Sequence, residues 1–200
     1  MKRQTLTTVL IAAAAVLLPV LIVSSFAGMA RRAASDAQPG SSVVTVHPHE
    51  EQIEFADKAG RTTVFLAGTI DMGNSIDWQA RADSLFAALP SGRYMLFNPR
   101  QGHWDAGKPG EMDYQVNWEL DHLEQADWIV MNFLPGSQSP ITLLELGLHA
   151  RGGRLLVICP PEFYRYDNVR ITCAKYGVPM LDSLEDAVRH ISRNERTPGR

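Results

Sequence analysis

Two glutamates stand where acids are unexpected. In the helical stretch 140–151, the residues that share a face with Ile141 fall three and four positions on, at Leu144, Glu145 and Leu148, so Glu145 is set among apolar neighbours. The same spacing groups Val116, Leu120 and Leu123 with Glu119, which follows Val116 by three and precedes Leu123 by four. Charged side chains are seldom buried without partners, and a carboxylate in apolar surroundings has its pKa raised and its reactivity altered. Two such acids on consecutive helices flanking one strand suit substitution at an anomeric carbon. There one carboxylate attacks, while another acid or a hydroxyl orients the sugar or protonates the leaving group. The competing role for Glu145 is an ion pair with Arg151 or His149.

The elements that must position these acids follow from periodicity. From Arg61 onward, apolar runs of strand length alternate with amphipathic stretches of helix length, the pattern of a parallel sheet covered by helices. Strands are predicted over 63–67, 94–97, 128–133, 155–159 and 178–181, and helices over 77–89, 113–126, 140–151, 163–176 and 183–191. Ser139 is expected to N-cap its helix, with Pro140 at the first helical position. The fold class is therefore α/β, a small doubly wound five-stranded parallel sheet with helices on both faces. Ligands of such sheets bind at the carboxyl ends of the strands.

The remaining sequence narrows the chemistry. No GxGxxG follows the strand at 63–67, and GxxxxGK[ST], GxSxG and HExxH are absent, which removes the usual dinucleotide, NTP, serine-hydrolase and zincin readings. Two hundred residues, 45% hydrophobic and 20% charged, provide about one domain with a core. Nineteen Lys and Arg against 22 Asp and Glu, with no long basic run, disfavour a nucleic-acid polymer as partner. Cys159 and Cys173 form neither a disulfide framework nor a zinc site, and no metal or cofactor is expected. His47-Pro48-His49 reads as two solvated linker histidines, since no carboxylate or Cys cluster accompanies them. Trp78 and Trp128 lie in helix and strand patterns and are expected in the core.

The N-terminus is a separate matter. Met1-Lys2-Arg3 precedes a hydrophobic helix in which residues 9–23 carry no charge, followed by small residues and then Arg31-Arg32. Residues 1–30 fit a cleavable secretory signal and a single membrane anchor equally well, so the domain is expected either secreted or periplasmic, or tethered to a membrane. Removing Lys2 and Arg3 with that segment leaves 17 basic against 22 acidic side chains, a net charge of -5. Residues 31–61 read as a linker, with one short strand at 43–46; the folded domain spans 62–193, and 194–200 form a solvated tail.

An ordered set of short motifs completes the reading. Phe65-Leu66-Ala67-Gly68-Thr69-Ile70, Asn98-Pro99-Arg100 with Trp104, Gln115-Val116-Asn117-Trp118-Glu119 running into Ala126-Asp127, and Ser139-Pro140-Ile141 with Leu144-Glu145-Leu146-Gly147 resemble the nucleoside 2-deoxyribosyltransferase-like family. The resemblance implies a flavodoxin-like domain in which Glu145 attacks C1′ of a nucleoside or nucleotide, expels the base and holds the sugar covalently. Another base then accepts the sugar, or water does. It also implies that Glu119 contacts the nucleophile or substrate, that Gly68 and Thr69 lie against the substrate, and that Asn98, Arg100 and Trp104 touch base or sugar. Many relatives place an aspartate six residues before the nucleophile to hold the leaving base; Ser139 stands there in this chain. In some relatives a C-terminal Asn or Tyr of a neighbouring subunit completes the site, which makes a homo-oligomer part of the expectation. The function expected is pentosyl transfer between bases; the alternatives are an N-glycosidase and a non-catalytic, membrane-tethered nucleotide-binding module.

Overall fold

Continuous apolar runs such as Val64-Phe65-Leu66-Ala67 have no polar side to turn to water, so they form strands covered on both faces. The computed structural model describes residues 42–102, 105 and 107–194. The expected signal or anchor, most of the expected tail and Trp104 lie outside these residues. In chain order the elements are β1 (Val43–Val46), α1 (Glu51–Asp57), β2 (Thr62–Gly68), a 3-10 turn (Asp71–Gly73), α2 (Trp78–Ala87), β3 (Tyr94–Phe97), α3 (Glu111–Gln125), β4 (Trp128–Asn132), α4 (Pro140–His149), β5 (Leu155–Ile158), α5 (Tyr166–Tyr176), β6 (Met180–Leu181) and α6 (Leu184–Arg193). Among the described residues, no helix is long and apolar enough to cross a membrane.

All strands are parallel, in the order β1-β3-β2-β4-β5-β6. Five of them, β3-β2-β4-β5-β6, make the expected doubly wound sheet; the sixth is β1, added at the β3 edge. The linker reading of 31–61 is thereby corrected over 42–61, residues 31–41 lying outside the described residues. Val43–Val46 pairs with Tyr94–Phe97, α1 follows it, and Arg61 is buried, its Nε donating to Asp57 O at 2.9 Å. The seven-residue α1 escaped notice because it lays only Ile53 on the core and leaves Phe55 in water. The histidine pair is not solvated linker either. His47 Nδ1 lies 2.9 Å from Arg100 O, and the His49 ring stacks on Tyr114 at 4.1 Å.

Strand alternation divides the core into two layers. Phe65, Ala67, Met95, Phe97, Ile129 and Met131 pack under α3, α4 and α5, against Trp118, Leu123, Leu146, Val169 and Cys173. Val64, Leu66, Leu96 and Val130 face Trp78 and Phe86 of α2 and Leu184, Val188 and Ile191 of α6. Asp127 fixes the register where β4 begins: its Oδ2 accepts from Thr63 N and Thr63 Oγ1, both at 2.9 Å.

The helix faces are not those the spacing predicts. On α4 the buried residues are Thr142, Glu145, Leu146 and His149, while Ile141, Leu144 and Leu148 are 57–60% exposed. On α3 Val116 and Leu120 are likewise exposed, and Trp118, His122 and Leu123 point inward. Glu145 is buried because it sits beside the apolar stripe, on the face toward the sheet, and not because it belongs to that stripe.

Candidate active site

The strand order reverses between β2 and β4, which puts a crevice at their carboxyl ends. Gly68 ends β2 with φ 141°, and a Cβ there would stand 2.3 Å from Asn132 O, so only glycine lets the two strands pair to their tips. Just beyond, three hydroxyls form a closed triangle. Thr69 Oγ1 lies 3.0 Å from Ser137 Oγ and 2.7 Å from Ser139 Oγ, and the two serines are 2.9 Å apart. Trp78 Nε1 donates to Thr69 O at 2.8 Å, and Leu134 N donates to Thr69 Oγ1 at 3.1 Å, which locks the triangle to both α2 and the loop after β4. Ser139 departs from the expected capping role. It adopts φ 43°, and its hydroxyl is drawn to Thr69 and Ser137 instead of a helix N–H; Pro140 alone favours the helix start.

Six residues along, about 9 Å down the α4 axis at 1.5 Å per residue, is Glu145. It is 7% exposed, and among the described residues nothing donates a hydrogen bond to it or pairs with it. Burial, reinforced by the charge of Glu119, pushes its carboxyl up to about 8. The ion-pair alternatives are not realised. Arg151 Nη2 donates to Tyr176 Oη at 3.2 Å and stacks on that ring, and His149 is buried, its pKa lowered by desolvation.

Glu119, one helix away, is half-buried and held differently. Burial raises its pKa, opposed by Gln115 Nε2, which donates to Glu119 Oε1 at 2.7 Å. Gln115 Nε2 also donates to Pro99 O at 3.0 Å, and Gln101 Nε2 donates to Gln115 Oε1. Gln101 further reaches Glu111 Oε1 at 3.4 Å. His49 Nε2 at 2.8 Å and Lys108 Nζ at 2.7 Å grip that buried carboxylate, and His49, then Lys108, hold it down at about 2. A polar chain thus runs from the β1–α1 loop to the acid pair.

The other sequence-predicted residues are placed as follows. Gly68, Thr69 and Ser139 meet at the crevice. Asn98, just past β3, is buried, and its Oδ1 accepts from Arg100 N at 3.0 Å. The Arg100 guanidinium is engaged with the 71–77 loop: Nη2 donates to Ser75 Oγ at 2.8 Å, Nε to Gln79 Oε1 at 3.2 Å, and Asp77 Oδ1 lies 3.6 Å from Nε. Those donors hold the loop and are not offered to the crevice. Trp118, Trp78 and Trp128 are core residues. Cys159 and Cys173 are buried thiols pushed up by desolvation to about 12 and 11. Sequence reasoning missed Ser137, Gln101 and Gln115. Only Gln115 carried a signal, one helical turn before Glu119.

The arrangement offers a buried acid able to attack once ionised, a second acid that biases it, and a crevice lined by hydroxyls. The family profile described as "Nucleoside 2-deoxyribosyltransferase like" matches residues 61–163, a span that contains the crevice and both acids. No curated protein matches. Among solved structures, a 2-deoxyribosyltransferase from Bacillus psychrosaccharolyticus is similar at 15% identity over 63% of this chain and 90% of its own, with TM-score 0.48. A conserved protein from Enterococcus faecalis V583 is similar at 11% identity over 67% of this chain and 99% of its own, with TM-score 0.52.

Proposed function

Because the chain belongs to the nucleoside 2-deoxyribosyltransferase-like family, we propose that it is a pentosyl-transferring enzyme acting on a nucleoside or nucleotide. Ionised Glu145 attacks C1′, the C1′–N bond breaks with its electron pair passing to the base, and a glycosyl ester remains on the carboxylate. A second base attacks the same carbon and frees Glu145. Glu119 orients the nucleophile or the sugar, and Gly68, Thr69 and Ser139 border the crevice that receives substrate. The observation that carries this reading is a carboxyl 7% exposed, free of hydrogen bonds among the described residues and influenced by a second acid. The test is incubation of the full-length protein with deoxynucleosides and free bases, followed by chromatography. A new nucleoside is expected from the wild type and none from Glu145→Ala; product that survives the substitution overturns the assignment.

Hydrolysis is the second reading. It is favoured by Ser139, whose hydroxyl is committed to Thr69 and Ser137, so no carboxylate waits there for a leaving base. Free sugar in place of a new nucleoside would identify it. Tight binding in calorimetry without any product would assign a nucleotide-binding module instead.

Two placements complete the proposal. We propose that residues 1–30 put the domain at a membrane or carry it across one; resistance to alkaline extraction separates an anchor from a cleaved signal. We also propose that a second copy covers the outer face of α3, α4 and α5, where Met112, Val116, Leu120, Ile141, Leu144, Leu148 and Ile171 are exposed. No large hydrophobic side chain of α2 or α6 is exposed. The two flanks of α4 differ in charge, with Asp113, Asp121 and Glu124 on α3, and at α5 Arg165, Lys175 and Arg170, the last paired with Asp167. A two-fold axis along α4 would set each flank against its opposite in the partner.

A further inference from the structure

Gln115 has three defined partners and no freedom to turn. Its side chain is buried on α3, with Nε2 shared between Pro99 O at 3.0 Å and Glu119 Oε1 at 2.7 Å, and with Oε1 facing Gln101 Nε2. A backbone carbonyl only accepts, so the amide end at Pro99 must be the nitrogen. Turning the amide over would set its oxygen against Pro99 O and the Glu119 carboxylate, two acceptor–acceptor contacts in a buried place. Gln101 is itself tied to Glu111, which His49 and Lys108 clamp from two sides. Glu119 therefore always meets a donor at Oε1, while its Oε2 accepts no hydrogen bond among the described residues.

We propose that Gln115 is a positioning residue, anchored by Pro99 and Gln101, that fixes the rotamer of Glu119 so that Oε1 is engaged and Oε2 alone is left for the substrate or for Glu145. Its effect on turnover rests on the transfer reading above; its effect on Glu119 does not. A donor that is always present favours the ionised form of Glu119 over the protonated one. Glu145, which accepts no such bond, is then the member of the pair that holds the proton at rest. Glu145 on α4 is the titratable group that faces Glu119; its other polar neighbour is Gln115 itself.

The experiment uses the full-length chain carrying 13C-labelled glutamate carboxyls, with Glu119→Gln to assign the Glu119 signal. In Gln115→Met, which keeps the bulk and removes the amide, the Glu119 midpoint is expected to rise by about one pH unit or more, the shift produced by losing a hydrogen bond to an ionised group. Gln101→Leu, which leaves Gln115 in place with Pro99 as its one remaining anchor, is expected to move it the same way by less, and it decides the matter should Gln115→Met fail to fold. In transfer assays kcat is expected to fall at least about tenfold in Gln115→Met, with KM changed little, because orientation acts on the transition state. A Glu119 midpoint unmoved in folded variants overturns the proposal. Wild-type protein inactive on every donor overturns the transfer reading and leaves the titration to decide the role of Gln115.

Discussion

Glu119 raises the pKa of Glu145 from a neighbouring helix, adding its charge to the desolvation that already disfavours ionisation there. The two acids are unequal because Gln115 donates to Glu119, whereas no donor reaches Glu145 among the described residues. At neutral pH the uncharged form of Glu145 predominates, so the proposed nucleophile rests as an acid.

Catalysis should therefore be alkaline-leaning. If Glu145 is the nucleophile, only its ionised form attacks, and with a pKa of about 8 kcat/KM is expected to climb roughly tenfold per pH unit below that value and level above it. A pH–rate profile checks this; a flat rate between pH 5 and 8 contradicts it.

The same shift makes a statement about stability. A carboxyl whose folded pKa lies above its unfolded value binds more protons folded than unfolded between the two, so stability falls as pH rises from 4.5 toward 8. Glu145→Gln removes the proton uptake that folding otherwise requires at this position. It is expected to stabilise the fold by on the order of 3 kcal/mol at pH 7, with little gain at pH 4. Thermal melts at the two pH values test the difference.

Glu111 runs the opposite way. Its pKa is held down at about 2 by His49 and Lys108, so its stabilisation is complete above the unfolded value of 4.5 and is lost as pH falls through 2. Glu111→Gln should raise the acid-unfolding midpoint, as followed by circular dichroism, and loosen the β1–α1 loop that His49 ties to α3.

Gly68→Ala should be severe. The added Cβ meets Asn132 O at 2.3 Å, and φ 141° is poorly open to an L side chain, so the ends of β2 and β4 must part. A loss of about 3 kcal/mol or more is expected in denaturant titrations, and activity falls with the geometry of the crevice.

If two copies pair across α3–α5, Leu144→Glu with Leu148→Glu should yield monomers in light scattering while changing the melting temperature of the monomer little, since both residues are about 60% exposed. A wild type already monomeric at micromolar concentration removes that proposal.

How far the sequence carried depended on run length. Strands such as that at 128–132, apolar from Trp128 to Met131, could be nothing else in an alternating pattern, so the doubly wound sheet was legible. The short strand at 43–46 was read, though not its place at the sheet edge, and α1 was missed because seven residues give no period to read. Glu145 is buried as expected, but not for the reason its spacing suggested. Spacing grouped it with Leu144 and Leu148, yet those leucines face outward while Glu145 and His149 face the sheet. Spacing along one helix cannot say which of two adjacent stripes meets the sheet. The relay through Gln101 and Gln115 was invisible for another reason: its hydrogen bonds join a loop to a helix 14 residues on, and no local pattern encodes that meeting.

The edge strand β1 has a practical outcome for handling the protein. In an all-parallel sheet every strand starts on one rim and ends on the other, and Ser42 O, just ahead of β1, accepts from Tyr94 N at the starting rim. The hydroxyl triangle of Thr69, Ser137 and Ser139 occupies the finishing rim. A resin linker or fluorophore attached at Ser42 itself would stand on the rim away from the crevice, so immobilisation at that residue should leave solutes free to come and go.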